Sequence, residues 1–256
     1  MKTKTARFPR SAAGFTLVEV MISMTIVVSV LAMALSTFLF GLRTMYKDTV
    51  RLQTNAALRY FTSQMAKETV DSSEFYLLAD YTKLDGSVDI DASDGSSDLV
   101  TAVDDGNGSY LGSGDCIVLV TRTSIATGAL VRQIRMYYRV VTTTNVNNLA
   151  PIRYYEGQDY GTTGSSSTLA TLLNGIDLNS NSTYAGTGGK NRQITDRARG
   201  RKVGSTSNYY PIFCSEGPTI TATNENFSIN VEFITGNSVI NMLSSSSFNY
   251  TVSPRR

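Results

Sequence analysis

The stretch Gly14-Phe15-Thr16-Leu17-Val18-Glu19 opens the long apolar segment that decides the architecture of this chain. The run from Phe15 to Leu39 contains no Lys, Arg, Asp, Pro or Gly, and Glu19 is its one acidic residue. At about 1.5 Å per helical residue the run would span about 38 Å, against about 30 Å for the hydrocarbon core of a bilayer. The sequence therefore predicts a helix whose residues 15–40 cross a membrane.

A short basic leader precedes the apolar run. It contains Lys2, Lys4, Arg7 and Arg10 and no acidic residue. An ordinary secretory signal has a small-residue cleavage site after its apolar region, whereas here the glycine comes before it. Because basic flanks stay on the cytoplasmic side, the leader predicts a cytoplasmic N-terminus.

The basic leader, Gly14 and the apolar run with an acid at its fifth position resemble the processing segment of type IV prepilins and type II secretion pseudopilins. The resemblance covers residues 1–40 and is weak beyond residue 80. It implies that a prepilin peptidase cuts between Gly14 and Phe15 and methylates the new N-terminus. It also implies a single pass through the inner membrane, a periplasmic head, and assembly with other pilins or pseudopilins in a periplasmic pseudopilus or a surface pilus.

Glu19 has two interpretations. An acidic side chain within a bilayer is costly and usually marks a function. The resemblance implies that Glu19 pairs with the N-terminal amine of a neighbouring subunit as a filament grows. Alternatively, since it lies one helical turn after Phe15, Glu19 neutralises its own N-terminus and helix dipole.

The predicted helix lacks two residues that are typical of major pilins, which favours a minor subunit. Major pilins resemble one another in having a Gly and a Pro within the helix, and the matching positions here are Val28 and Ser36. The chain is most similar to a minor pseudopilin of the J type or a larger minor pilin. Removal of the four leader cations leaves 19 basic against 21 acidic residues, so the net charge of +2 says nothing about partners.

We predict that the helix continues to about Leu78, because apolar residues recur at near-helical spacing and no proline occurs between Pro9 and Pro151. The recurring residues are Tyr46, Val50, Leu58, Phe61 and Met65. They are expected to pack on a sheet, with a coiled-coil contact to another subunit as the alternative. Charged residues such as Lys67 and Glu68 are expected on the surface.

The remainder of the chain has β-strand patterning. Cys116–Thr121 is a continuous apolar run, and apolar residues alternate with polar ones over Ile134–Val140, Phe227–Phe233 and Phe248–Val252. Gly236-Asn237 is predicted to turn between the last two. The predicted fold is α+β: a leader at 1–14, a helix at 15–78, and an antiparallel β-rich head at 79–256 with long polar loops.

Two charged segments of the head are candidate binding sites. Asp89, Asp91 and Asp94 lie in an acidic segment rich in Gly and Ser, which suits calcium, although Asp94 stands where an EF-hand has its glycine. The alternative is a solvated loop. The segment 190–202 is basic and predicted to be a loop; its candidate polyanion contacts are Arg192, Arg197, Arg199, Arg201 and Lys202. Aromatic interleaving is absent there, so nucleic acid is less favoured than a solvated loop or a contact with a neighbouring subunit.

Cys116 and Cys214 are the two cysteines of the chain. Because disulfides persist outside the inner membrane, we predict that they form one, with two buried thiols as the alternative.

Enzymatic chemistry has little support. The chain has no His, which removes the commonest general base and zinc ligand, and no catalytic residue or cofactor beyond the candidate calcium can be assigned. We predict a structural subunit, a minor pilin or pseudopilin that initiates or shapes a filament. The alternative is a surface-displayed adhesive or DNA-binding pilin that acts through residues 190–202.

Overall fold

The structure is a computed structural model. It describes residues 14–84, 90, 98–100, 103–104, 110–124, 128–141, 149–176, 178, 189–200, 209–216, 226–237 and 242–254. The chain divides into two compact units, Met1–Asp48 and Thr49–Arg256.

The first unit is helical in its described part. Helix α1 (Leu17–Asp71) begins there and contains a segment long and apolar enough to cross a membrane, judged by length and composition. The large apolar side chains of this first unit are exposed, from Phe15 at 87% to Tyr46 at 44%. The hydroxyls in this stretch donate to carbonyls of the preceding turn, as in Ser29 Oγ to Thr25 O at 2.8 Å. Such bonds satisfy polar groups within the helix itself, which is what a spanning segment requires.

The second unit contains the sheet and a second helix, α2 (Leu169–Asn174). In the described residues ten strands form one antiparallel sheet in the order β1-β4-β5-β6-β7-β9-β8-β3-β2, with β10 on the free side of β9. The strands are β1 (Glu74–Leu78), β2 (Val103–Asp104), β3 (Tyr110–Gly114), β4 (Cys116–Arg122), β5 (Val131–Arg139), β6 (Ala150–Glu156), β7 (Lys190–Arg199), β8 (Phe213–Glu216), β9 (Phe227–Asn237) and β10 (Met242–Val252). The predicted α+β class is confirmed.

The central strands β4 and β5 are covered on both faces of the sheet. Ile117 and Leu119 lie on one face, in a cluster with Leu58, Phe61 and Met65 of α1. The alternating Cys116, Val118 and Val120 lie on the other face, in a cluster with Leu169 and Leu173 of α2. The predicted packing of the helix stripe on a sheet is confirmed for Leu58, Phe61 and Met65. The alternation over Ile134–Val140 is typical of a half-buried strand, but Tyr137 and Tyr138 of β5 are both fully buried because each face is covered by its own cluster.

Helix α1 ends earlier than the sequence predicted. It stops at Asp71 rather than near Leu78, and Glu74–Leu78 instead forms β1, paired antiparallel with β4. The Ser73 amide already donates to Val120 O at 2.8 Å. Pairing with a buried strand thus overrides the local helical spacing of this segment.

The last hairpin also differs from expectation. Gly236 and Asn237, predicted to turn, are the final residues of β9, and Asn237 pairs with Met242. The run Ser244–Ser247, whose composition is typical of a loop, lies inside β10 opposite Glu232–Thr235. Serine has little strand preference of its own, so its partner strand sets its conformation.

Candidate processing and assembly site

Gly14 and Phe15 lie just before α1, fully open to the surroundings. A Cβ at Gly14 would meet no atom within 4 Å, and Phe15 is 87% exposed. Nothing in the described chain therefore requires glycine at position 14 for packing. A requirement for glycine there would come from whatever binds the segment.

Thr16 and Glu19 form a reciprocal cap at the start of α1. The Thr16 amide donates to Glu19 Oε2 at 3.0 Å, and the Glu19 amide donates to Thr16 Oγ1 at 3.3 Å. The Thr16 hydroxyl also donates to Glu19 Oε2 at 3.1 Å. This capping box satisfies amides that have no partner within the helix. The Thr-x-x-Glu spacing before an apolar run is a sequence signal for it, and our reading of the sequence missed it.

In a single chain Glu19 thus binds the first residues of its own helix. This agrees with the interpretation in which Glu19 acts within its own chain. The contact is exposed and made by one neighbouring residue. The carboxylate can therefore be reached by a second chain, and the intersubunit role of Glu19 stays a prediction.

The predicted surface residue Glu68 is in fact buried between α1 and the sheet. Its Oε2 accepts from the Tyr137 hydroxyl at 2.6 Å, and its Oε1 accepts from the Tyr154 hydroxyl and Gln64 Nε2, both at 2.8 Å. Burial, together with the Glu68 charge, raises the pKa of both tyrosines, so their hydroxyls remain donors. Glu68 follows Met65 by three residues on the buried stripe, and this spacing could have revealed it.

A second buried polar group joins β4, β5 and β8. Arg139, 2% exposed, donates to Asp115 Oδ1 from Nε at 3.0 Å and to Oδ2 from Nη2 at 2.7 Å. The Ile212 amide, next to β8, donates to Asp115 Oδ1 at 3.1 Å. A bidentate pair with a further backbone donor compensates the loss of solvation of both charges.

The basic segment begins as a strand rather than a loop. Lys190–Arg199 forms β7 between β6 and β9, while Arg201 and Lys202 lie outside the described residues. Arg199 Nε forms an ion pair with Glu232 Oε2 at 2.7 Å, and Arg199 Nη1 donates to the Tyr209 hydroxyl at 2.9 Å. Arg192 lies over the Tyr154 ring at 4.6 Å from its centroid, so folding supplies the aromatic neighbour that the local sequence lacks. Arg197 lies half-buried on the same strand.

The remaining candidate sites have mixed outcomes. Asp89, Asp91 and Asp94 lie outside the described residues, so the calcium prediction stays a prediction. Cys116 and Cys214 are both buried and both thiols, on strands that are not neighbours. Cys116 packs in the cluster facing α2, whereas Cys214 Sγ accepts a hydrogen bond from Asn230 Nδ2 at 3.9 Å. The structure thus has the alternative, two buried thiols, and not the predicted disulfide.

Comparison with known proteins gives one finding for the N-terminal segment. Residues 9–35 match the family model of the prokaryotic N-terminal methylation motif. The chain has a methylation motif at its start. No curated protein and no solved structure matches the chain.

The matched residues include Gly14, Phe15 and Glu19 and the first turns of α1. The motif supports the type IV pilin and pseudopilin family, and it implies processing by a prepilin peptidase and assembly with other pilins. Together with the exposed apolar helix it fits a pilin anchored in the inner membrane. It points to a structural subunit rather than an enzyme.

Proposed function

We propose that this protein is a minor pilin or pseudopilin, a structural subunit that initiates or shapes a type IV pilus or a type II secretion pseudopilus. The methylation motif over residues 9–35 carries the proposal. After cleavage at Gly14-Phe15, the exposed apolar part of α1 would hold the subunit in the inner membrane. It would later pack among the helices of other subunits, and the head would face the periplasm.

The geometry at Gly14 and Glu19 supports this assignment. A Cβ at Gly14 would meet no described atom within 4 Å, which suits a peptidase substrate, and the Glu19 carboxylate is exposed and bound by Thr16 alone among the described residues. A neighbouring subunit whose N-terminal amine approached Glu19 would bring a full positive charge to this carboxylate. Such an ion pair, formed away from water, is stronger than at a protein surface.

Mass spectrometry of sheared filaments tests the proposal. A small amount of this chain relative to the main subunit, beginning at methylated Phe15, would identify a minor subunit of a surface pilus. The same processed peptide found only in the membrane fraction would identify a periplasmic pseudopilus subunit. A peptide that still contains Gly14 would contradict the proposed processing.

Two variants separate processing from assembly. Gly14→Leu is expected to leave an uncleaved precursor in the inner membrane. Glu19→Ala is expected to be cleaved but poorly incorporated into filaments, and Glu19→Asp should restore part of the incorporation. Normal incorporation of Glu19→Ala would leave the capping box as the one role of this carboxylate.

A surface-displayed adhesive or DNA-binding pilin remains the alternative function. Its candidate contacts among the described residues of β7 are Arg192, which is exposed, and Arg197, which is half-buried; Arg199 is paired with Glu232. In filaments bearing Arg192→Ala and Arg197→Ala, a loss of binding to DNA with unchanged assembly would favour this alternative.

A further inference from the structure

Strand β10 is an edge strand of eleven residues without a charged side chain. Among the described residues it pairs with β9 alone, along eleven residues and without a register shift. The strand order itself ends at β1 and at the two-residue strand β2. Strand β1 is covered on its outer side, where the Val100 amide donates to Leu77 O at 2.9 Å. The backbone of β10 is therefore the longest open row of hydrogen-bonding groups in the described sheet.

Edge strands are normally protected against pairing by charged residues, proline, bulges or short length. Residues 242–252 contain no charged residue and no proline, and the pairing with β9 has no bulge. None of these devices is present on β10. The strand has the features of one that pairs with another strand.

The side chains of β10 define what such a partner must present. On one face Phe248, Tyr250 and Val252 stand opposite Val231, Ile229 and Phe227, which belong to the core cluster facing α1. Val252 is buried there, but Tyr250 is still 41% exposed and its ring lies 5.7 Å from that of Phe248. The other face is polar and exposed; it consists of Ser245, Ser247, Asn249 and Thr251. A partner strand would need uncharged, alternating apolar and small polar residues.

Strand β10 itself meets this requirement. In an antiparallel pair of two β10 strands, apolar faces coincide whenever residues of equal parity stand opposite each other. The register with Asn249 opposite Asn249 places Phe248 of each copy opposite Tyr250 of the other. Two cross-strand aromatic pairs then form, which is the most favourable pairing that this sequence offers.

We propose that two copies of this protein pair through β10, antiparallel and centred on Asn249, so that their sheets become continuous. A two-fold contact of this kind closes on itself, whereas a filament needs contacts that repeat in one direction. The pair would therefore form outside the filament, between chains that have not been incorporated. The pairing of β10 does not rest on the proposed function; its place outside a filament does.

A cysteine scan of the full-length chain in membranes tests the pairing. The single variants Ser245→Cys, Ser247→Cys, Asn249→Cys and Thr251→Cys all lie on the exposed face, and the parent chain is the control for Cys116 and Cys214. After mild oxidation, Asn249→Cys is expected to give the highest crosslinked dimer fraction, several times that of Ser245→Cys. Equal crosslinking at all four positions, or none above the parent, would overturn the proposal.

A charge variant provides an independent measurement. Adding Ser247→Lys to the Asn249→Cys chain places a protective charge on the edge, and the dimer fraction should fall to the level of Ser245→Cys. Gln193→Lys on β7, also exposed, is the matched control and should leave the dimer fraction unchanged. The tyrosine circular dichroism of both variants should equal that of the parent, which shows that the head is folded. Crosslinking that persists with Ser247→Lys in a folded head would contradict β10 pairing.

Discussion

The two units of this chain differ in the exposure of their apolar side chains, although one helix, α1, contributes to both. In the first unit Phe38 is 61% exposed, and every described large apolar residue around it is exposed as well. In the second unit Phe61 is fully buried, against Tyr137 and Phe233. The head thus covers its own apolar surface, whereas the first unit needs lipid or another protein to do so. The helix is common to both, but its apolar residues form an unbroken run in the first unit and recur at near-helical spacing among charged residues in the second.

The largest expected effect contrasts two phenylalanines on α1. Phe61→Ala should lower the free energy of unfolding of the head by about 3–5 kcal/mol, because it leaves a cavity in the core. Phe38→Ala, in the exposed stretch, should change it by less than about 0.5 kcal/mol. Denaturant unfolding of the detergent-solubilised chain, followed by tyrosine circular dichroism, measures both. Equal losses would show that the two units do not differ as described.

A second contrast compares a buried with an exposed ion pair. Asp115→Ala leaves Arg139 buried without its carboxylate and should cost about 3–5 kcal/mol of unfolding free energy. Asp159→Ala breaks the Arg132–Asp159 pair, whose side chains are each 44% exposed, and should cost less than about 1 kcal/mol. The same unfolding experiment applies. A cost of Asp115→Ala as small as that of Asp159→Ala would mean that the buried pair is readily replaced by solvent.

A smaller effect is expected at Glu68. Glu68→Ala removes the acceptor of the Tyr137 and Tyr154 hydroxyls and should lower the unfolding free energy by about 1–3 kcal/mol in total, the cost of leaving buried hydroxyls unsatisfied. Lys67→Ala, the exposed neighbour on the same helix, is the control and should change it by less than about 0.5 kcal/mol. If the double variant Tyr137→Phe and Tyr154→Phe restored much of the stability lost in Glu68→Ala, the unsatisfied hydroxyls would be confirmed as the cause.

The smallest expected effect is local to the start of α1. Thr16→Ala removes the hydroxyl of the capping box, so the amides of the first turn should exchange with solvent faster, with no change in the head. Thr16→Ser keeps the hydroxyl and should exchange like the parent. Hydrogen exchange of the micelle-bound chain, resolved to the N-terminal peptide, measures the difference. Unchanged exchange in Thr16→Ala would show that lipid or detergent replaces the cap.

Much of the fold followed from short-range patterns. The apolar run after Phe15, the buried strand starting at Cys116 and the alternating strands at Phe227 and Phe248 are all present, since each pattern reflects burial directly. The patterns failed where a distant partner decides the outcome. Glu74–Leu78 and Ser244–Ser247 are strands because β4 and β9 pair with them.

Prediction of the site was similarly uneven. Gly14 and Phe15 are matched by the methylation motif, and they could be found because the signal is contiguous in sequence. The roles of Glu68 and of the Asp115–Arg139 pair could not be found in this way, since their partners are distant in sequence. Arg192 likewise meets Tyr154 through the pairing of β6 and β7, which the basic composition of the segment does not indicate.

The burial of both faces of β5 has a consequence for how this sequence can vary. A strand with one solvent-exposed face tolerates substitution at every second residue. Along β5, however, Met136 and Tyr138 pack towards α2, while Tyr137 packs towards α1 and Arg139 binds Asp115. Consecutive positions are therefore constrained by two different clusters, one on each face of the sheet. A substitution at one position is tolerated only if the residues that contact it on the same face change as well. Among related chains, the sequence of the second half of β5 should vary little. Its variable positions should not alternate with constant ones, as they do in a surface strand.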